Sequence, residues 1–239
     1  MKFSHPLSHY RAEIETTLAR FRECFKEEDA YCRFILTRGV GKIGFSRASV
    51  TTPTQLVIIV QPLRVFGKPD WEKGLNIHLS PTRLRNPVQA LDPAMKSGNY
   101  LNSLLATLEA QDLGHDDAVL CDFDGHVTEG TTFNVFYVKR GIVVTPPTDI
   151  GILHGITRLH IFAILRKLGI EYREVRFPKE RFLEADEVFV SGTVKEVFPV
   201  TQVDGNPIGS PNGRPGIVTR RIHEAFREHV EAACVRGTA

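Results

Sequence analysis

Lys96 lies in the string Met95-Lys96-Ser97-Gly98-Asn99-Tyr100-Leu101-Asn102, where small Ser97 and Gly98 leave room for a ligand beside a nucleophilic amine and Tyr100 is close enough in sequence to share its pocket. Glu129 closes a predicted strand in Val127-Thr128-Glu129-Gly130, which sets a carboxylate at a sheet edge. Gly155-Ile156-Thr157-Arg158 opens a predicted helix, and a helix N-terminus presents free N–H groups and partial positive charge to an anion. Ser191-Gly192-Thr193 follows another predicted strand and can form a backbone nest for the same kind of group. Taken singly, each has an ordinary reading: a surface lysine, a strand-end glutamate, a helix cap, a turn.

Taken together, they supply the parts that pyridoxal 5'-phosphate requires. Its aldehyde needs a lysine, its ring nitrogen an acidic partner that keeps it protonated, and its phosphate a set of N–H groups. Arg33 and Arg38 sit toward the ends of one predicted strand, with Tyr31 on the same alternating face as Arg33. Arginine there can hold a substrate carboxylate through two parallel hydrogen bonds. The nine histidines show no metal-ligand spacing such as HExxH, and His154 and His160 are expected to cap or cover a helix, so no metal is expected.

The elements that must position these residues follow from periodicity and turn chemistry. Apolar spacing predicts helices over residues 6–26, 100–113, 157–168, 179–184 and 217–231. Alternation predicts strands over 31–37, 55–62, 75–79, 118–123, 126–129, 133–138, 142–145 and 187–190, with 194–203 mostly extended. Asp124-Gly125 is expected to form a tight primed turn between two of them. The stretch 80–93 is rich in proline and turn formers and reads as a linker. The expectation is an α+β fold with two α/β domains: a small one over 1–80, a linker over 81–93, and a large cofactor-binding domain over 94–239.

Composition excludes other classes. A chain of 239 residues with 42% hydrophobic content can bury a real core, and a formal charge of +2 without long basic runs gives no footprint for nucleic acid or an anionic membrane. The most apolar stretch, residues 56–60, is far short of the roughly 20 residues a membrane helix needs. No apolar signal region opens the chain, and Cys24, Cys32, Cys121 and Cys234 form no CxxC pair, so a reducing cytoplasm is the expected home.

The motifs together resemble the class IV, or fold-type IV, pyridoxal-phosphate aminotransferases. The similarity runs from Asp29-Ala30-Tyr31-Cys32-Arg33 through Lys96-Ser97-Gly98-Asn99-Tyr100-Leu101, Glu129-Gly130, Asn134-Val135-Phe136, Thr145-Pro146-Pro147, Gly155-Ile156-Thr157-Arg158 and Ser191-Gly192-Thr193 to Pro199-Val200, nearly the whole chain. The resemblance implies that Lys96 forms the Schiff base and shuttles the proton, Tyr100 partners the cofactor's phenolic oxygen and Glu129 its ring nitrogen. It implies Leu153 packing on the ring, Ile156, Thr157 and Thr193 binding the phosphate, and Tyr31, Arg33, Arg38 and Val194 facing the substrate. A homodimer is implied as well. The family's His-x-x-Arg-Leu element has no convincing match here, so the first domain is expected to be incomplete.

Within the family, Tyr31-Cys32-Arg33 and the aliphatic Gly-Ile-Thr region lean toward branched-chain L-amino acids with a 2-oxo acid such as 2-oxoglutarate, whereas Arg38 occupies the place of the D-amino-acid subgroup's carboxylate-binding arginine. A D-amino-acid transaminase, an aminodeoxychorismate lyase and a truncated, non-catalytic scaffold are the alternative readings.

Overall fold

The computed structural model describes residues 6–25, 29–63, 66–209 and 213–236. The chain gathers into two compact units, Met1–Val65 and Phe66–Ala239.

In the first unit a 3₁₀ turn, Leu7–Tyr10, runs into helix α1, Arg11–Cys24, whose buried Phe21 stacks on Phe25 with ring centres 4.8 Å apart. The expected helix extends to residue 26, which lies outside the described residues, as do residues 1–5 at the expected signal-free start. Strands β1, Ala30–Leu36, and β2, Leu56–Pro62, pair antiparallel with Cys32 opposite Val60. Arg33 is therefore in mid-strand, and Arg38 stands two residues beyond the last paired residue, Leu36, rather than at the strand's end.

The second unit contains α2 (Lys68–Lys73), β3 (Leu75–Leu84), α3 (Leu101–Asp112), β4 (Asp117–Cys121), β5 (Val127–Gly130), β6 (Asn134–Lys139) and β7 (Ile142–Thr145). It continues through α4 (Ile156–Leu168), β8 (Tyr172–Glu174), α5 (Lys179–Leu183), β9 (Glu187–Gly192), β10 (Glu196–Val203), β11 (Asn206–Pro207) and α6 (Ile217–Arg236). β3 pairs in parallel with β4 on one edge and with β10 on the other. The pairs β4–β5, β5–β6, β6–β9 and β9–β10 are antiparallel, so these six strands return on themselves and close a barrel. β7 and β8 extend the rest of the edge that β6 shares with β5.

Alternation along the strands separates two cores. Val135 and Tyr137 of β6, Val188 and Val190 of β9, and Phe198 and Val200 of β10 fall in one cluster. The intervening Phe136, Val138, Phe189 and Val197 fall in a second, with Ile161 and Leu165 of α4 and Ile222 and Phe226 of α6. Each such side chain contributes about 1.5–3 kcal/mol on burial, which is why both faces of these strands read as apolar. Ala106 and Ala110 of α3 lie on Ala118 and Leu120 of β4, and the three alanines let helix and strand approach closely around Leu120.

Three sequence expectations change. β3 continues to Leu84 and belongs to the barrel, so the division between units falls at Val65/Phe66, ahead of the expected 81–93 linker; hydrogen bonding to β4 and β10 holds those residues in the large unit. At Asp124-Gly125 only the glycine has a positive φ, 83°, and the Asp122 carboxylate accepts from the amides of Asp124 and His126, giving a wider loop than a two-residue primed turn. β8 and β11 were not anticipated because three and two residues are too few to display a period, and α2 was not because Trp71 is the single large apolar residue among its six. Among the described residues no helix is long and apolar enough to cross a membrane.

Candidate active site

The barrel closes where β5 meets β6, through the single register pair Glu129 and Asn134. Glu129 is 5% exposed, and both its carboxylate oxygens are engaged. Oε1 is 2.5 Å from Arg85 Nη2. Oε2 accepts from the amide of Leu153 at 3.0 Å and from Asn134 Nδ2 at 3.2 Å. Asn134 Nδ2 also donates to the Leu153 carbonyl at 3.1 Å, so one amide side chain fixes both the carboxylate and the segment leading into α4.

Burial pushes the Glu129 carboxyl above its ordinary value; Arg85, the Leu153 amide, Lys96 and Arg158 pull it down without overcoming that. The ion-pair distance and the upward shift point in opposite directions. Donors face both oxygens, and only the ionised carboxyl is acceptor-only, so the carboxylate is the form this geometry serves.

Gly155, the residue before α4, is placed by contact rather than by an unusual φ: a Cβ there would lie 2.1 Å from Asn134 Oδ1. The first intrahelical bond of α4 runs from Leu159 N to Gly155 O, which leaves the amides of Ile156, Thr157 and Arg158 at the helix start available to an acceptor. Arg158 is 2% exposed; its Nη2 donates to Pro146 O at 2.8 Å and to Glu174 Oε2 at 2.7 Å, tying α4 to β8, while its Nε has no hydrogen-bond partner among the described residues.

On the other edge of β6, Asn134 pairs in register with Ser191 of β9. Glu129, Asn134 and Ser191 therefore stand on three adjacent strands. The Ser191 hydroxyl is buried without a partner among the described residues, and the turn 193–195 that carries Thr193 and Val194 begins two residues beyond it. Thr193 and Val194 are exposed.

Lys96 lies in the irregular stretch 85–100 that links β3 to α3; its side chain is exposed, and its charge is close enough to act on Glu129. Tyr100 is half-buried at the start of α3, its amide bonded to Gly98 O. Lys96, Glu129, Leu153, Ile156 and Thr157 are thus gathered in one neighbourhood of the second unit. Tyr31, Arg33 and Arg38 belong to the first unit, where Arg38 directs its guanidinium to the carbonyls of Gly44 and Phe45 and to Ser49 Oγ at 3.3–3.4 Å.

Two residues of this neighbourhood had no role assigned from sequence. Arg85 stands in the proline-rich stretch, where a single arginine carries no signal. Asn134 had one: a polar residue five positions after a strand-end glutamate, at hairpin distance from it.

The arrangement fits a phosphorylated pyridine aldehyde. A buried carboxylate can hold a ring nitrogen, an exposed amine within its electrostatic reach can bond a carbonyl carbon, and free helix-start amides with an orphaned serine hydroxyl can donate hydrogen bonds to a phosphate.

Known proteins resemble the chain over most of its length. The family described as Amino-transferase class IV matches residues 1–203. A Methanocaldococcus jannaschii protein, provisionally named a branched-chain-amino-acid aminotransferase, is 40% identical over 201 residues, covering 84% of this chain and 67% of that protein. The Escherichia coli K12 branched-chain-amino-acid aminotransferase is 39% identical over 174 residues, 72% of this chain and 56% of its own length. The crystal structure of the T.th. branched-chain amino acid aminotransferase with pyridoxamine 5'-phosphate superposes with a TM-score of 0.85 at 29% identity, covering 95% of this chain and 72% of that one. The chain thus spans between about half and three quarters of the length of these relatives. On the span of the family match and the agreement in fold, the chain belongs to the class IV amino-transferase family.

Proposed function

We propose that the chain acts as a pyridoxal-phosphate-dependent transaminase that moves an amino group between a branched-chain L-amino acid and a 2-oxo acid such as 2-oxoglutarate. The observation that carries the reading is Glu129, a buried carboxylate held by three donors with the Lys96 amine in electrostatic reach. The branched-chain names of the relatives support the substrate class. The homodimer expected from the resemblance and the cytoplasmic home expected from the cysteine pattern go with it.

When bound, pyridoxal phosphate supplies an electrophilic carbon and a ring that accepts electrons. Lys96 would bond that carbon, and its free amine would carry a proton to and from the substrate Cα as general base and acid. Glu129 would keep the ring nitrogen charged, and Arg85 and Asn134 keep Glu129 in place. Tyr100 would partner the phenolic oxygen and Leu153 would pack on the ring. Ile156, Thr157, Ser191 and Thr193 would hold the phosphate and Val194 would face the substrate; a role for Tyr31, Arg33 and Arg38 of the first unit toward the substrate carboxylate rests on the resemblance alone.

Borohydride reduction of the chain with pyridoxal phosphate, followed by peptide mapping, should fix the label on Lys96, and a substrate panel should favour L-leucine, L-isoleucine and L-valine. Label scattered over surface lysines would defeat the site assignment. Preference for D-alanine, or pyruvate release from aminodeoxychorismate, would defeat the substrate class.

A further inference from the structure

His78 lies on β3, His115 in the turn between α3 and β4, and Asp204 in the turn between β10 and β11. Sheet topology makes them neighbours, since Ile77 pairs with Asp117 on one side and Val203 on the other. His78 is 7% exposed. Its Nδ1 is 2.6 Å from Asp204 Oδ1 and its Nε2 is 3.7 Å from Glu109 Oε1, while Glu109 Oε2 accepts from Ser80 Oγ at 2.7 Å. The His78 and His115 rings stack with centres 5.3 Å apart and 7° between planes.

Two buried nitrogens here, His78 Nε2 and His115 Nδ1, have no hydrogen-bond partner among the described residues, a condition native interiors avoid. One ligand atom from each of His78, His115 and Asp204 lies within 4.8 Å of the other two. The transaminase reading uses none of these residues.

We infer that His78, His115 and Asp204 form a binding site for one divalent transition-metal ion of the zinc class. Two imidazoles and one carboxylate suit zinc and its neighbours, whereas magnesium and calcium prefer all-oxygen sets. Zinc takes nitrogen at about 2.0–2.1 Å and oxygen at about 2.0–2.2 Å, so ligand atoms around one tetrahedral ion stand roughly 3.3 Å apart. The His78–Asp204 contact opens slightly to admit it, and the half-exposed His115 ring turns out of the parallel stack to aim its lone pair.

Metal on His78 Nδ1 leaves its Nε2 toward Glu109 Oε1, 3.7 Å away and beyond hydrogen-bond distance; a small approach of that carboxylate, which Ser80 orients, would complete the pair that fixes the tautomer of a ligating histidine. Asp204 and Glu109 together offset the ion's charge. Bound there, the ion ties the β3 strand to the turns that follow α3 and β10.

The full chain, stripped with a chelator and titrated with Zn²⁺ by calorimetry before any cofactor is added, should take up one ion at this site in saturable fashion. His115→Ala and Asp204→Asn should each weaken that uptake by at least about tenfold. His229→Ala, which removes the exposed His229–His160 pair at 3.0 Å, and His126→Ala, which breaks the second cluster Asp122, Asp124 and His126, should leave it unchanged. Zn²⁺ should raise the unfolding temperature of the wild type and not of His115→Ala. Anomalous scattering at the zinc edge gives a readout that needs no variant, with the peak expected among the three side chains. Absence of saturable uptake, uptake indifferent to His115→Ala, or a peak only at the other two clusters would overturn the inference and leave His78 and His115 as histidines hydrated by buried water.

Discussion

The two halves of the proposed active site are built in opposite ways. Around Glu129, both carboxylate oxygens, both faces of the Asn134 amide and the space at Gly155 are occupied by protein, on elements locked into the barrel. Around Lys96 the chain is irregular and largely exposed, and the hydrogen bonds nearby are local ones such as Ser97 N to Met95 O and Asn99 Nδ2 to Ser97 Oγ. The carboxylate has one task throughout turnover and can be fixed in advance. The amine must change partners, and a network that held it tightly would oppose the step it performs. The frame therefore carries stability and holds the fixed carboxylate, and the lysine stretch carries the group that must move.

Lys96→Ala tests that division most sharply. Turnover should fall by at least about 10³-fold, the general acid–base contribution alone being about 10²–10⁴, while the urea midpoint of the cofactor-free chain stays at the wild-type value. A large shift in that midpoint would erase the contrast.

Arg85→Leu should show the reverse. Removing one partner of a buried pair costs about 3–5 kcal/mol, because Glu129 is left charged and desolvated. The pH dependence has a definite sign. Burial already raises the Glu129 carboxyl above its unfolded value of 4.5, and loss of Arg85 raises it further. The folded variant then binds a proton more readily than the unfolded chain, so its penalty is fully present above the raised folded value and shrinks as pH falls through it toward 4.5. Unfolding measured along that series should show the two proteins converging on the acid side; a constant gap would mean that Arg85 stabilises by packing alone. Replacing Glu129 by Gln in the same chain should recover part of the loss, which a double-mutant cycle would measure.

Asn134→Ala removes donors to Glu129 and to the Leu153 carbonyl and should cost about 1–3 kcal/mol. Gly155→Ala reaches the same network from the other side by pushing its Cβ against Asn134 Oδ1. The two substitutions share one contact, so their effects should be less than additive. Full additivity would separate α4 from the carboxylate corner.

This contrast also decides what could be read from the sequence. Lys96, Glu129, Gly155 and Ser191 were legible because reactive types beside glycine and serine form short local strings. The long strands were legible because alternation and apolar runs report burial directly. Arg85 was not, since its meaning comes from Glu129, 44 positions away in the sequence, and nothing at position 85 itself announces an ion pair. For the same reason His78, His115 and Asp204 escaped a search for ligand spacing: the β3–β4 and β3–β10 pairings join them, and a parallel pairing has no fixed sequence separation. The division at Val65/Phe66 was misplaced because prolines at 81, 87 and 93 suggested a linker, whereas strand pairing reaches past the first of them to Leu84.

The smallest effect is the most exacting. Asn99→Ala deletes the Asn99–Ser97 hydrogen bond at 2.8 Å, the side-chain link closest to Lys96 in the exposed stretch. The stretch is anchored farther out, by Asp92 Oδ1 accepting from Ala94 N and by Asn102 Nδ2 donating to Leu84 O, so its interior can relax without disturbing the barrel. The unfolding free energy should change by no more than about 0.5 kcal/mol, as for surface substitutions in general. Turnover should fall severalfold, with the change in kcat rather than KM, since the amine loses some of its preferred placement and the substrate loses no contact. A loss above about 1 kcal/mol in stability would put residues 92–100 in the same rigid frame as Glu129, and the lysine would then be held by the fold rather than presented by it.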